Sequence, residues 1–170
     1  MSSLAIALAD ELESGWRSVA RPNQLPPPGD WSTWMLLAGR GFGKTRAASE
    51  WVKESVETGQ ARHVAIVGAT AADTRDVCIE GPSGLLAISS EWNRPNYEPS
   101  KRRLTWPGGA TATMFSAEEP DRLRGPNHDL AWCDELASWA NAQSTWDTLQ
   151  MTLRLGVRPR VLCVDDSEAV

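Results

Sequence analysis

"WMLLAGRGFGKTRAASEWV", Trp34 to Val52, is the stretch on which the reading of this chain turns. An apolar run, Trp34–Leu37, passes directly into Ala38-Gly39-Arg40-Gly41-Phe42-Gly43-Lys44-Thr45. Beyond Thr45 the apolar residues take helical spacing, so that Ala47, Trp51, Val52 and Val56 share one face and Gly59 closes the helix. The loop matches a small residue, four free positions and Gly-Lys-Thr, with Ala38 in the first place, where glycine is usual. Gly39, Gly41 and Gly43 let the backbone curl until successive N–H groups point inward at phosphate oxygens. Lys44 has the length to reach β- and γ-phosphates, and the Thr45 hydroxyl is suited to Mg²⁺. A helix beginning there turns its positive end to the same phosphates. A strand before the loop and a helix after it are the context that makes a glycine-rich turn a nucleotide site. Residues 38–45 are therefore expected to bind ATP.

Outward from that loop, "HVAIVGAT" reads as a second buried strand and "AADTRDVCIEG" as a helix. "RRLTWPGGATATMFS" reads as a hairpin about Pro107-Gly108-Gly109. "EEPDRLRGPNH" is a polar connector with room for one helical turn. "DLAWCDE" is a third apolar strand, "LASWANAQSTWDTLQMTLRLG" a long amphipathic helix closed by Gly156, and "RPRVLCVDD" one more strand. Alternating strands and helices predict an α/β fold, a mainly parallel sheet with helices on both faces, in the manner of P-loop NTPases. The sheet is expected to be incomplete at the C-terminus. The first sixteen residues predict a short amphipathic helix and "RPNQLPPPGDW" a proline-rich loop. The expected organisation is an N-terminal helix and loop over 1–30, a P-loop ATPase domain over 31–156 and an atypical tail over 157–170.

The 170 residues suffice for one domain with a real core. A composition of 41% hydrophobic and 23% charged residues is that of an ordinary globular protein, and no apolar stretch is long enough to cross a bilayer. A cytosolic setting and no membrane partner are expected. With a net charge of −5 the chain has no global attraction for nucleic acid, so any DNA contact must be local, and "SKRRLTW" (Ser100–Trp106) is the dense basic cluster. The nine tryptophans read as core. Cys78, Cys133 and Cys163 read as buried free thiols, and His63 and His128 as structural residues without a metal.

A P-loop needs an acid on a neighbouring strand to hold Mg²⁺ through water. Two strands end in acids, one in Asp134-Glu135 and the other in Asp165-Asp166. The first pair is preferred: Asp134 holds the metal, and Glu135 has the reach to orient and deprotonate the attacking water. Arg40, within the loop, is placed to swing onto the γ-phosphate as a finger supplied in cis.

Three stretches, Pro26–Val52, Ser116–Trp139 and "TLRLG" (Thr152–Gly156), together resemble the large terminase subunit of tailed phages, in the branch found in gene transfer agents and prophages. The resemblance implies an ATP-driven motor that drives double-stranded DNA into a capsid through the portal protein, in company with a small terminase subunit, in the bacterial host cytosol. It implies phosphate and Mg²⁺ binding by Lys44 and Thr45, metal binding by Asp134, catalysis by Glu135 and Arg40, and adenine reading by Gln24 in "RPNQLP". Two departures stand out. The Ser/Thr-rich coupling motif that the family carries after this point is replaced by "VRPRVLCVDDSEAV", and no nuclease domain follows. "RVLCVDDSEAV" looks like the first strand of a response-regulator receiver, which far too little chain follows; it is taken as a coincidence or as out-of-frame translation. The expected function is that of a truncated packaging ATPase lacking nuclease, monomeric in isolation. The alternatives are a degenerate remnant that at most binds nucleotide, and a helicase-like P-loop ATPase, for whose second motor lobe the chain has no room.

Overall fold

The computed structural model describes residues 15–166 and, before them, Ser3, Ala5, Ile6 and Ala9. The strands are β1 (Thr33–Leu37), β2 (His63–Gly68), β3 (Asn96–Glu98), β4 (Arg103–Thr105), β5 (Thr111–Ser116), β6 (Leu130–Asp134) and β7 (Arg160–Asp165). They form one sheet in the order β1-β7-β6-β2-β5-β4-β3. The pairings from β1 through β5 are parallel, and β4 and β3 add an antiparallel margin. The hairpin stands where its sequence put it, with Gly109 at φ +87° in the turn. β3 is an addition to it, too short and polar to carry an apolar period.

Near-continuous apolar runs in β2, β6 and β7 divide cleanly between two faces, as the twofold period of a strand requires. Val64, Ile66, Trp132, Leu162 and Val164 pack with Ala47, Ala48, Trp51 and Val52 of helix α1 (Lys44–Glu57). Ala65, Val67, Ala131, Cys133, Val161 and Cys163 pack on the other face with Leu149 of helix α2 (Ala142–Thr152). Each fully buried aliphatic side chain contributes about 1.5–3 kcal/mol, so this alternation holds the sheet between its helices. None of the tryptophans is exposed, and Trp34, Trp51, Trp106, Trp132 and Trp139 are buried, as core residues should be. The three cysteines are buried and free.

Four elements differ from expectation. β1 is an edge strand: Trp34 and Leu36 are buried, but Met35 and Leu37 are 48% and 45% exposed, because the α2 layer leaves that face open over β1. The helix after β2 is a short turn, Ala71–Asp73, widened into a π turn over Thr74–Ile79, with the Glu80 N–H donating to the Arg75 carbonyl at 2.9 Å. The long helix expected from Leu136 to Gly156 begins only at Ala142. Before it, the Ala137 N–H donates to Asp165 Oδ2 at 2.6 Å and the Trp139 indole to the Asp134 carbonyl at 2.9 Å, which ties the chain to the sheet edge. At its other end Leu153 leaves the helix to bridge to His128.

The fourth concerns the boundary at Gly156. β7 is not peripheral to the sheet; it lies between β1 and β6, with Leu37 opposite Asp165 and Asp134 opposite Val164. The packing runs through the boundary, and both acidic pairs end at one rim of the sheet. The expected N-terminal helix lies mostly outside the described residues, which begin in earnest with the helical turn Trp16–Val19. Among the described residues no helix is long and apolar enough to cross a membrane.

Candidate nucleotide site

β1 ends at Leu37, where the Ala38 N–H donates to the Asp165 carbonyl at 3.3 Å, and the loop then leaves the sheet. Gly41 at φ +78° and Gly43 at φ +87° take the left-handed turns that an L side chain resists. Gly43 caps α1, and the Ala47 N–H returns to its carbonyl at 2.9 Å. The first N–H groups of α1 therefore have no partner within the helix. The loop is braced from outside by Gln24, which is buried. Its Oε1 accepts the Arg21 N–H at 2.9 Å and its Nε2 donates to the Phe42 carbonyl at 2.7 Å. The Arg21 guanidinium donates to the same carbonyl and lies 4.7 Å above the centre of the Phe42 ring.

Lys44, its side chain only 10% exposed, lies across the mouth of the loop. Its Nζ donates to the Ala38 carbonyl at 2.6 Å, the Gly39 carbonyl at 3.1 Å and Asp166 Oδ1 at 2.6 Å. An ammonium has three hydrogens, and these three acceptors use them all. The contact draws the Asp166 carboxyl below the usual carboxylate range, chiefly through the Lys44 hydrogen bond.

The acids lie beside it. Asp134 is buried at the end of β6, and burial, reinforced by the charge of Glu135, raises its pKa to about 7, against the pull of Lys44. Glu135 follows in the left-handed region at φ +51°, an uncommon conformation for a glutamate, with its N–H donating to the Val164 carbonyl at 2.8 Å. Burial raises its carboxyl too, joined by Asp166 and Asp165, while Lys44 and Arg40 oppose the rise. Asp165 is buried. Besides Ala137, its carboxylate accepts the Asp166 N–H at 2.9 Å. A cleft of about 580 Å³ is lined by loop residues 40–46, by Glu135 and Asp166, and by Asp76, Val77, Pro82 and Ser83 from the segment after β2. Thr45 and Arg40 are thus on the cleft; Asp134 and Gln24 stand behind its lining.

Residues 35–166 match the family described as "Terminase large subunit, T4likevirus-type, N-terminal". The chain belongs to this terminase family. The match takes in β7 and both acidic pairs. Among solved structures, the large terminase ATPase domain of Thermus phage P74-26 superposes with a TM-score of 0.64 at 18% identity, over 92% of this chain and 67% of that one. The large terminase of a thermophilic bacteriophage gives a TM-score of 0.65 at 16% identity over 96% of this chain. Its complex with ATP-gamma-S gives 0.64 at 16% identity over 96%. At such identities the likeness is one of fold. The terminase domain described here spans 38% and 37% of those two chains. No relative is found among curated protein sequences.

The structure gathers Lys44, Thr45, Arg40, Asp134 and Glu135 at one rim. It adds Arg21, Asp165, Asp166 and the 76–83 segment, which sequence reasoning missed. Asp165 and Asp166 carry a signal, an apolar strand running into two acids, which in the sequence alone competes with that of Asp134 and Glu135. Strand adjacency makes them neighbours.

Proposed function

We propose that this terminase domain binds ATP with Mg²⁺ at the 38–45 loop and hydrolyses it, as the motor for packaging double-stranded DNA into a capsid. The observation that carries the reading is the convergence of Lys44, after β1, with Asp134 and Glu135, at the end of β6 on the far side of β7, beside a cleft large enough for a nucleotide. In this reading the loop amides and Lys44 hold the phosphates. Arg40, exposed on the cleft, meets the γ-phosphate, and Glu135 takes the proton of the attacking water. Gln24 braces the loop from behind the cleft lining, and the amide hydrogen and carbonyl lone pair left over from its two bonds are what it has to offer an adenine.

The donor set suits magnesium. Burial, with the neighbouring carboxylates adding to it, pushes Asp134 and Glu135 toward the protonated form, a cost that a divalent cation relieves. Thr45 and Asp134 would hold it, Asp134 through water, and the ion would neutralise charge developing on the phosphates. Among the described residues no three His, Cys, Asp or Glu side chains close into a metal cage. Double-stranded DNA, the portal protein and a small terminase subunit are the partners of this reading. The basic cluster contributes less to DNA than its sequence suggests, because Lys101 pairs with Glu98 at 2.6 Å and Arg102 with Glu119 at 2.9 Å.

The test is nucleotide binding. The wild-type chain should bind a fluorescent ATP analogue with Mg²⁺, and Lys44→Ala should weaken binding at least about a hundredfold through loss of a charge-assisted phosphate contact. Equal affinity in the two proteins would refute the site. The second reading, a domain that binds nucleotide without turning it over, is favoured by one contact, Asp166 on Lys44. A Lys44-dependent binder with no phosphate release would establish it.

A further inference from the structure

Nothing in the phosphate-binding motif calls for a carboxylate on its lysine, yet Asp166 Oδ1 lies 2.6 Å from Lys44 Nζ, inside the proposed nucleotide cleft. We infer that Asp166 is an internal competitor for Lys44, which the phosphates of an entering nucleotide must displace, and that it sets the affinity of the site. This rests on the nucleotide-binding reading above and deepens it.

The geometry is that of a substitute ligand. A carboxylate oxygen presents to an ammonium the same anionic acceptor as a phosphate oxygen, and the two carbonyls of Ala38 and Gly39 complete the ammonium's three bonds. No hydrogen of Lys44 remains for a phosphate until one of these acceptors leaves. The carbonyls belong to the loop backbone, whereas the Asp166 side chain is about one-third exposed and has the freedom to turn away. It is nonetheless aimed. Asp165, buried next to it, accepts the Asp166 N–H at 2.9 Å and, through its other oxygen, the Ala137 N–H of the turn after Glu135. Its carbonyl also holds the first amide of the loop. The end of β7 thus stands between loop and acid turn, and Asp166 is the part of it that reaches Lys44. The same carboxylate is one of the charges that Glu135 senses, so its departure from Lys44 alters the surroundings of the proposed catalytic base.

The experiment compares binding of a fluorescent ATP analogue with Mg²⁺ to the wild type, Asp166→Asn, Asp166→Ala and Lys44→Ala, each checked for folding by circular dichroism. Asp166→Asn keeps the size and removes the charge, and Asp166→Ala removes the contact. Both should tighten binding about fivefold or more, as loss of a partly exposed competing ion pair implies. The Lys44→Ala/Asp166→Asn double variant should bind no better than Lys44→Ala. Unchanged or weaker binding in Asp166→Asn, with the wild type still dependent on Lys44, overturns the competitor and leaves the nucleotide site standing. Equal binding by wild type and Lys44→Ala, or no binding by any variant, overturns both.

Discussion

Single residues at the rim hold uncommon conformations and charges: Gly41, Gly43 and Glu135 are left-handed, and Asp134 is a buried carboxyl pushed toward its protonated form. Gly43 sits at φ +87°, and a Cβ there would lie 2.9 Å from Gln24 Nε2. Gly43→Ala should therefore cost about 1–2 kcal/mol in urea unfolding, from left-handed strain and a displaced brace. Glu135 is expected to act on water and not on the phosphates. Glu135→Gln should keep nucleotide affinity within about threefold while phosphate release falls at least about a hundredfold. A parallel fall in both would assign Glu135 to binding. Asp134 shows what the site gives up in stability. Burial lifts its folded pKa to about 7, above the ordinary carboxylate value, so the unfolded chain ionises first. Its favourable contribution is present at low pH and is lost as pH rises through 7. Asp134→Asn should accordingly melt higher than wild type at pH 8 without Mg²⁺, the reverse of what a structural carboxylate would give.

Elements act here through what crosses between them. The proline-rich segment before β1 is a brace for the phosphate loop, since Gln24 and Arg21 both end on the Phe42 carbonyl. Gln24→Ala leaves that carbonyl to Arg21 alone, and unfolding should become easier by about 1–2 kcal/mol for two lost buried hydrogen bonds. Nucleotide affinity should fall with it, and a stability loss at unchanged affinity would separate the brace from the site. α1 and β2 were legible because their apolar periods, 3.6 and 2, are long enough to be unambiguous. The helix after Glu135 was misjudged from an equally good period. Its first turns carry helical spacing, but two tertiary hydrogen bonds, Ala137 to Asp165 and Trp139 to Asp134, hold them against the rim.

Across the molecule, the sheet is pinned at the end opposite the site by His128, which is 3% exposed. The Thr152 hydroxyl donates to the Leu149 carbonyl, so its oxygen is left to accept from the His128 Nδ1–H at 2.8 Å. The ring stands edge-on to Phe115, with centroids 5.5 Å apart. Burial, with a smaller push from His63, lowers the pKa of His128 to about 4. Between about pH 6.5 and 4 the unfolded chain takes up a proton that the folded one refuses, so stability falls with pH by up to about 3 kcal/mol from this group. Urea unfolding at pH 7 and pH 4.5 should show that drop reduced in His128→Gln; an unaltered difference would mean that the ring is already charged in the fold.

Sequence alone determined that there is a strand, a phosphate-type loop and a helix between Thr33 and Glu57, and that apolar strands ending in acids accompany them. It also singled out Lys44, Thr45, Asp134 and Glu135 as candidates. Those signals are local, written in spacing and residue type over a dozen positions, and they survive any arrangement of the remaining chain. Only the tertiary structure decided that β7 inserts between β1 and β6, because strands pair through backbone groups common to all of them, so an apolar run does not name its neighbours. That insertion brings Asp165 and Asp166 to the loop, turns an apparent tail into the wall of the site, and gives Lys44 its partner.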